Sequence, residues 1–183
     1  EHIGDDISWE YAMKRGSLYV KRYIRPKFRR VNGGGIIMAP LPPRAIEKGN
    51  AHASLLAHII TDKYLYHIPL DRQRRKFKAE YEVNFAESTL CDWVRRSCFW
   101  FEPVYRVLVQ QAVHSRYLQA DETPIRVLSS DVKGKSHRGY FWVYHAVEEQ
   151  IVVFSYSRSR SRDGPNDFLR TFKGTLQVDG YAG

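Results

Sequence analysis

The sequence predicts an α/β fold, α+β overall. It has a small β-rich and helical N-terminal region, helix-turn-helix-like, and then a mixed sheet of order β-β-β-α-β. Three observations predict this. Basic and apolar residues partly alternate between Lys14 and Arg30. The apolar period turns helical from Ala53. From Tyr117 the chain is dense in β-formers, with one helical stretch before the last strand.

Composition bounds the class. The 183 residues carry 29 Lys+Arg against 20 Asp+Glu, a net charge of +9 and a pI near 9.6. That excess points to a polyanionic partner, nucleic acid above all. Hydrophobic residues at 43% and aromatics at 14% exclude a disordered tail. No window approaches the roughly 20 consecutive apolar residues that a membrane span needs, and no basic segment followed by an apolar one suggests secretion. Two cysteines cannot build a disulfide scaffold, which fits a reducing compartment. The chain begins at Glu1 rather than Met and stops at Gly183 just after a strand-like run, so it is expected to be cut from a longer protein.

Three regions follow. Residues 1–50 read as a basic β-rich arm and linker. Lys14, Arg15, Lys21, Arg22, Arg25, Lys27, Arg29 and Arg30 run without an acid among them, interleaved with Leu18, Val20, Tyr23 and Ile24. This is either a solvated basic hairpin or an arm that contacts phosphates. Gly33-Gly34-Gly35 and Pro40, Pro42 and Pro43 break the pattern and read as turn and linker. Residues 51–116 read as helical. Leu55, Leu56, Ile59 and Ile60 make one apolar face, and Pro69 suits a first helical position. Arg72, Arg74, Arg75, Lys76 and Lys78 form a basic segment. After a polar turn, Ser88 and Thr89 are expected N-caps of a helix with Leu90, Trp93 and Val94 on one side and Arg95 and Arg96 on the other. Two helices, a turn and a third helix satisfy a helix-turn-helix, and an ordinary three-helix packing unit equally. Cys91 and Cys98, seven apart, lack zinc-ligand partners and read as buried structural residues. A further helix spans Phe101 to Val113, with Val104, Leu108 and Val109 as its stripe.

Residues 117–183 read as the sheet. Leu118 to Leu128 looks extended. Tyr140 to Val147 is expected to be buried on both faces, and Ile151 to Phe154 returns from it as a hairpin. Asp163 is an expected helix cap, Phe168, Leu169 and Phe172 the buried face, and Gly174 the helix stop. Thr175 to Asp179 is the last strand, able to lie parallel to the first through a right-handed crossover.

Asp121 falls in the first of these strands and Asp179 ends the last. Parallel neighbours would bring both carboxylates to the carboxyl edge of the sheet, where ligands bind in open α/β sheets. Two carboxylates about 4 Å apart repel by about 4 kcal/mol at an effective dielectric near ~20. A shared proton or a divalent cation must offset that, and Mg²⁺ suits hard oxygen ligands. Strand-end aspartates also serve as plain turn formers, so spacing alone leaves both readings open.

The runs Gln119-Ala120-Asp121-Glu122-Thr123-Pro124, Gly139-Tyr140-Phe141-Trp142-Val143-Tyr144 and Leu176-Gln177-Val178-Asp179-Gly180-Tyr181-Ala182-Gly183 resemble DDE transposases of the IS-sixty-six (TnpC-type) insertion-sequence family. His67-Ile68-Pro69-Leu70-Asp71-Arg72-Gln73 and Ser88-Thr89-Leu90-Cys91-Asp92-Trp93-Val94 are similar to that family too. The resemblance implies a helical DNA-binding region ahead of the first half of a ribonuclease-H-like catalytic core. Asp121 and Asp179 would be two acids of the DDE triad, holding Mg²⁺ or Mn²⁺, with a third acid, a Glu, beyond Gly183. Glu122 points to the opposite face of its strand and reads as a structural acid. Many relatives carry a cysteine-based zinc segment where this chain reads Lys27-Phe28-Arg29-Arg30-Val31-Asn32-Gly33, so no zinc is expected.

The function implied is a bacterial insertion-sequence transposase in the cytoplasm at the nucleoid, with no membrane partner. It would act on double-stranded DNA, at the element ends and the target, as a dimer or higher oligomer. Lys21, Arg22, Arg25, Lys27, Arg29, Arg30, Arg72, Arg74, Arg75 and Lys76 would neutralise phosphates, with Ser88, Thr89 and Arg95 at the reading helix. Two other readings stay open: a DNA-binding remnant without catalysis, and a metal-dependent nuclease on the same sheet.

Overall fold

The computed structural model describes residues 2–14, 16–31, 33–129 and 134–180. Arg15, Asn32 and Tyr181-Ala182-Gly183, used in the readings above, lie outside the described residues. The fold is mixed α+β, as expected, with two sheets flanked by helices. The chain divides into two compact units, Glu1–Trp100 and Phe101–Gly183.

In the first unit, β1 (His2–Lys14) and β2 (Ser17–Arg29) form a long antiparallel hairpin. Gly16 takes φ +77° in the tight turn between Lys14 and its partner Ser17, a conformation that favours glycine. Alternation along the strands separates two faces. The half-buried face pairs its acids with donors: Arg25 donates to the Asp6 carboxylate, and Tyr23 Oη donates to Glu10 Oε2 at 2.7 Å. The outer face exposes Ile7, Trp9, Val20, Ile24 and Phe28. The sequence reading foresaw the basic face and not this apolar one. It also took residues 33–43 for turn and linker. Instead β3 (Ile36–Met38) adds a third strand to the edge of β2, because Ile36-Ile37-Met38 are β-formers between two clusters of breakers.

The same unit holds α1 (Ala53–Tyr64), α2 (Leu70–Tyr81) and α3 (Glu87–Ser97). Leu55, Leu56 and Ile59 pack with Phe77, Phe85, Leu90, Trp93 and Val94. Phe85 is the hub, edge-on to Phe77 at 5.3 Å and to Trp93 at 5.1 Å between centroids. Ala86, not Ser88 or Thr89, is the N-cap of α3, so both polar residues fall inside its first turn. Cys91 and Cys98 are exposed rather than buried. The helix buries the stripe Leu90, Trp93, Val94 and Ser97, and the cysteines lie off it.

In the second unit, α4 (Glu102–Val113) is followed by a four-stranded sheet of order β6-β5-β4-β7. Its strands are β4 (Tyr117–Leu128), β5 (Ser136–Ala146), β6 (Ile151–Ser157) and β7 (Thr175–Gln177). The β4–β7 pair is parallel and the other pairs are antiparallel. α5 (Asp163–Leu169) crosses from β6 to β7. Leu108 and Val109 of α4, and Phe168 and Leu169 of α5, pack on one set of sheet residues: Leu118, Tyr144, Ala146 and Val153. Tyr144 stacks flat on Phe168 at 3.7 Å, and burial pushes its hydroxyl ionisation upward.

Three expectations shift here. β5 is covered on one face alone, since both helices lie on the Tyr144 side and Phe141 is exposed. Val104 is exposed, because the stripe of α4 runs through Leu108, Val109 and Ala112. The helix ends at Leu169, well before Gly174. Gly174 instead allows a close approach: a Cβ there would lie 2.4 Å from the Arg116 carbonyl oxygen, the acceptor for Thr175 N at 2.8 Å. No helix among the described residues is long and apolar enough to cross a membrane.

Candidate functional site

The two aspartates follow the short parallel pairing of β4 with β7. Tyr117 pairs with Thr175, Leu118 with Leu176 and Gln119 with Gln177. Two residues on from the last pair stand Asp121 and Asp179. β4 continues through Asp121, opposite Val143, whereas β7 ends at Gln177. Both aspartates are exposed. One oxygen of Asp121, Oδ1, accepts the Glu122 amide at 2.8 Å.

Below Asp121, on its own face of β4, lies a polar row that sequence reasoning missed. Tyr117 Oη donates to Gln177 Oε1, and Gln119 Nε2 donates to the same oxygen at 3.0 Å. His145 Nδ1 lies 3.2 Å from Gln119 Oε1. These side chains tie β4 to β7 and β5 immediately before the aspartates. The spacing 117, 119, 121 was the available signal, since alternate strand residues share a face.

On the opposite face, Ala120, Glu122, Trp142, Arg160 and Asp179 help line a pocket of about 130 Å³. The Glu122 side chain is 7% exposed and holds Arg160, whose Nε donates to it at 2.6 Å. A buried carboxylate needs such a partner, since unpaired burial costs several kcal/mol, ~3–5. The Trp142 Nε1 in this region is buried with no hydrogen-bond partner. Asp179 thus shares a pocket with Glu122 and Arg160 on the face opposite Asp121, and stands two residues past the last β4–β7 pair, as Asp121 does. Among the described residues no three His, Cys, Asp or Glu side chains gather as a metal-binding group. Carboxylates are the donor type that Mg²⁺ accepts, one or two of them with the rest of the shell left to water and phosphate.

The basic residues are distributed differently from their sequence spacing. Arg25 is bound to Asp6, Lys27 lies 3.8 Å from the same carboxylate, and Lys21 Nζ lies 2.7 Å from His52 Nε2. Arg22 sits on the outer face over the Trp9 ring at 5.3 Å. Arg29 and Arg30 are exposed at the end of β2. On α2, Arg74 and Arg75 both bond Asp71, and Lys76 lies 3.4 Å from Asp62. The hydrogen bond from Arg74 holds the Asp71 carboxyl below its ordinary range. Arg72 and Lys78, on the outer face of α2, have no ion-pair partner among the described residues. On α3, Ser88 is exposed, Thr89 is half-buried and Arg95 bonds Asp92 at 2.6 Å.

Comparison with known proteins fixes the class. Residues 48–183 match the family described as "Transposase IS66 family", which makes this a chain of the transposase class. It belongs to the IS66 transposase family. It is similar to two uncharacterized proteins of Sinorhizobium fredii. One, y4jD, is 32% identical over 98% of this chain and 36% of its own length. The other, y4hP, is 27% identical over 99% of this chain and 33% of its own length. The chain therefore spans about a third of the length of these curated relatives.

Proposed function

We propose that this chain carries the DNA-holding region and part of the catalytic sheet of a transposase, with Asp121 and Asp179 as two of the acids that cleave and join DNA strands. The observation that supports this is the parallel β4–β7 pairing, whose last pair, Gln119–Gln177, stands two residues before each aspartate. The sheet order, with the first and last strands parallel and a helix in the crossover, supports the first half of a ribonuclease-H-like core.

In this reading Asp121 and Asp179 would hold a divalent ion, Mg²⁺ or Mn²⁺. Such an ion, when bound, activates an attacking water or 3′-hydroxyl and offsets charge on the leaving oxygen. The Tyr117–Gln119–Gln177 row, braced by His145, keeps the two strands from sliding. Glu122 is committed to Arg160 on the other face and is not offered as the third acid.

DNA is held through the outer faces of α2 and α3, as in a helix-turn-helix. Arg72 and Lys78 supply cations that no carboxylate among the described residues balances, and Ser88 and Arg95 present the stripe facing outward from α3. The test is duplex affinity against salt. Each phosphate neutralised adds about 0.9 to the slope of log K on log salt. Arg72→Ala and Lys78→Ala should each flatten the slope by about that amount. Arg25→Ala should change it far less, because Asp6 already balances that charge. An unchanged slope in the first two variants, or the largest change in the third, contradicts the interface.

A further inference from the structure

A 3-10 turn, Cys98–Phe101, follows α3 and carries two aromatic residues whose rings stand largely in solvent. Phe99 is 75% exposed and Trp100 is 58% exposed. They stand edge to face, 6.1 Å between ring centroids. With Arg44, Arg95, Arg96 and Glu47 they line a groove of about 450 Å³, within the roughly 300–1,000 Å³ range of small-ligand sites.

The walls of this groove are fixed from below. Trp100 Nε1 donates to the Ala45 carbonyl at 2.7 Å, and Arg96 donates to the Glu47 carbonyl at 2.9 Å. Arg44 donates to the Gly49 carbonyl at 2.9 Å. Residues 44–49 and the end of α3 are thereby held as two sides of one cleft. Its charge is net positive: Arg95 and Arg96 share Asp92, Glu47 is exposed, and Arg44 has no ion-pair partner among the described residues. Flat aromatic faces beside guanidinium forks suit a nucleotide, with a base to stack and a phosphate to grip. A paired base keeps both of its faces against its neighbours in the duplex. The groove can stack a base only when that base is unpaired.

We propose that this groove binds an unpaired nucleotide of single-stranded or frayed DNA. The inference rests on the DNA-binding reading above and deepens it by naming the form of DNA bound.

The test uses labelled DNA and fluorescence anisotropy, comparing a blunt duplex with the same duplex bearing a short thymidine overhang. The unmodified protein should bind the overhang form roughly tenfold more tightly, the effect of stacking about one base. Phe99→Ala and Trp100→Ala should bring the overhang affinity down to the blunt value and leave blunt binding as it was, while Phe99→Tyr should keep the preference. Phe99 makes no hydrogen bond in the described structure, so its variant separates stacking from folding should the Trp100 variant lose the Ala45 contact. Equal affinity for both DNAs in the unmodified protein overturns the proposal. So does an equal loss on both DNAs in Phe99→Ala, which would assign the groove to duplex backbone or to an acidic partner. The blunt arm reports on the helix interface and the difference between arms reports on the groove, so the two readings fail separately.

Discussion

Asp121→Asn, introduced into a chain extended to the length of its relatives, is expected to lower DNA strand cleavage and joining by on the order of a thousandfold or more. The reasoning is electrostatic. A metal held at the reacting phosphate supplies several kcal/mol of charge stabilisation, and each ~1.4 kcal/mol is a factor of ten in rate. Asparagine has the shape of aspartate without its charge, so it offers a divalent ion one weak oxygen where a carboxylate stood. Asp121 is exposed and its hydrogen bond to the Glu122 amide can be kept by the asparagine oxygen. The fold should therefore survive, and duplex affinity should stay within about twofold, since that affinity comes from cations elsewhere. Asp179→Asn should behave alike. Near-normal cleavage in either variant removes that residue from the site.

Phe77→Ala should destabilise the first unit by ~3–5 kcal/mol, the cost of truncating a large buried aromatic. Phe77 is 1% exposed. Its ring meets Phe85 at 5.3 Å, His58 at 6.1 Å and Tyr81 at 6.2 Å, so α1, α2 and the loop before α3 lose packing at once. A domain holds only about 5–15 kcal/mol in total, so this change brings it near unfolding. Urea titration followed by tryptophan fluorescence is the measurement, with Trp93 buried in the same core. With a slope of about 1–3 kcal/mol per molar, the midpoint should fall by a molar or more. Phe141→Ala is the comparison. That residue lies on the open face of β5, against Phe154 and Tyr156, and its loss should cost about 1 kcal/mol, the scale of cross-strand pairs. Equal effects from the two variants would contradict the core described here.

These two phenylalanines show what the sequence could and could not carry. The apolar residues Leu55, Leu56 and Ile59 and the stripe Leu90, Trp93 and Val94 were legible because helical spacing commits one face to burial, and those residues form the core, whereas Ile60 stays half-buried outside it. The sheet was legible in its strand order, since Tyr140–Val147 and Ile151–Phe154 are too rich in β-formers to be read otherwise. Which face of β5 is covered was not legible. That depends on where α4 and α5 land, a tertiary fact, and both land on the Tyr144 side. Ser88 and Thr89 misled because good capping residues lay within the first turn of a helix that Ala86 caps. The charge pairing in the basic hairpin was not legible, because partners across a strand pair lie far apart in sequence: Arg25 meets Asp6 over nineteen positions. For the site, Asp121 and Asp179 could be picked out from the chain, but the Gln119–Gln177 tie and the Glu122–Arg160 pair are pairings across strands and loops that no local pattern records.

The central claim is that Asp121 and Asp179 act together as one cation site. Titrating isotopically labelled protein with Mn²⁺ and following paramagnetic broadening of its amide signals tests it most directly. The amides of residues 120–122 and 178–180 should broaden first, and Asp121→Asn or Asp179→Asn should each abolish the effect. Because Asp179 also shares a pocket with Glu122, the contrary result is equally clear: broadening that persists unchanged in Asp121→Asn but vanishes in Glu122→Gln would place the ion on the other face of β4 and contradict the paired-aspartate site.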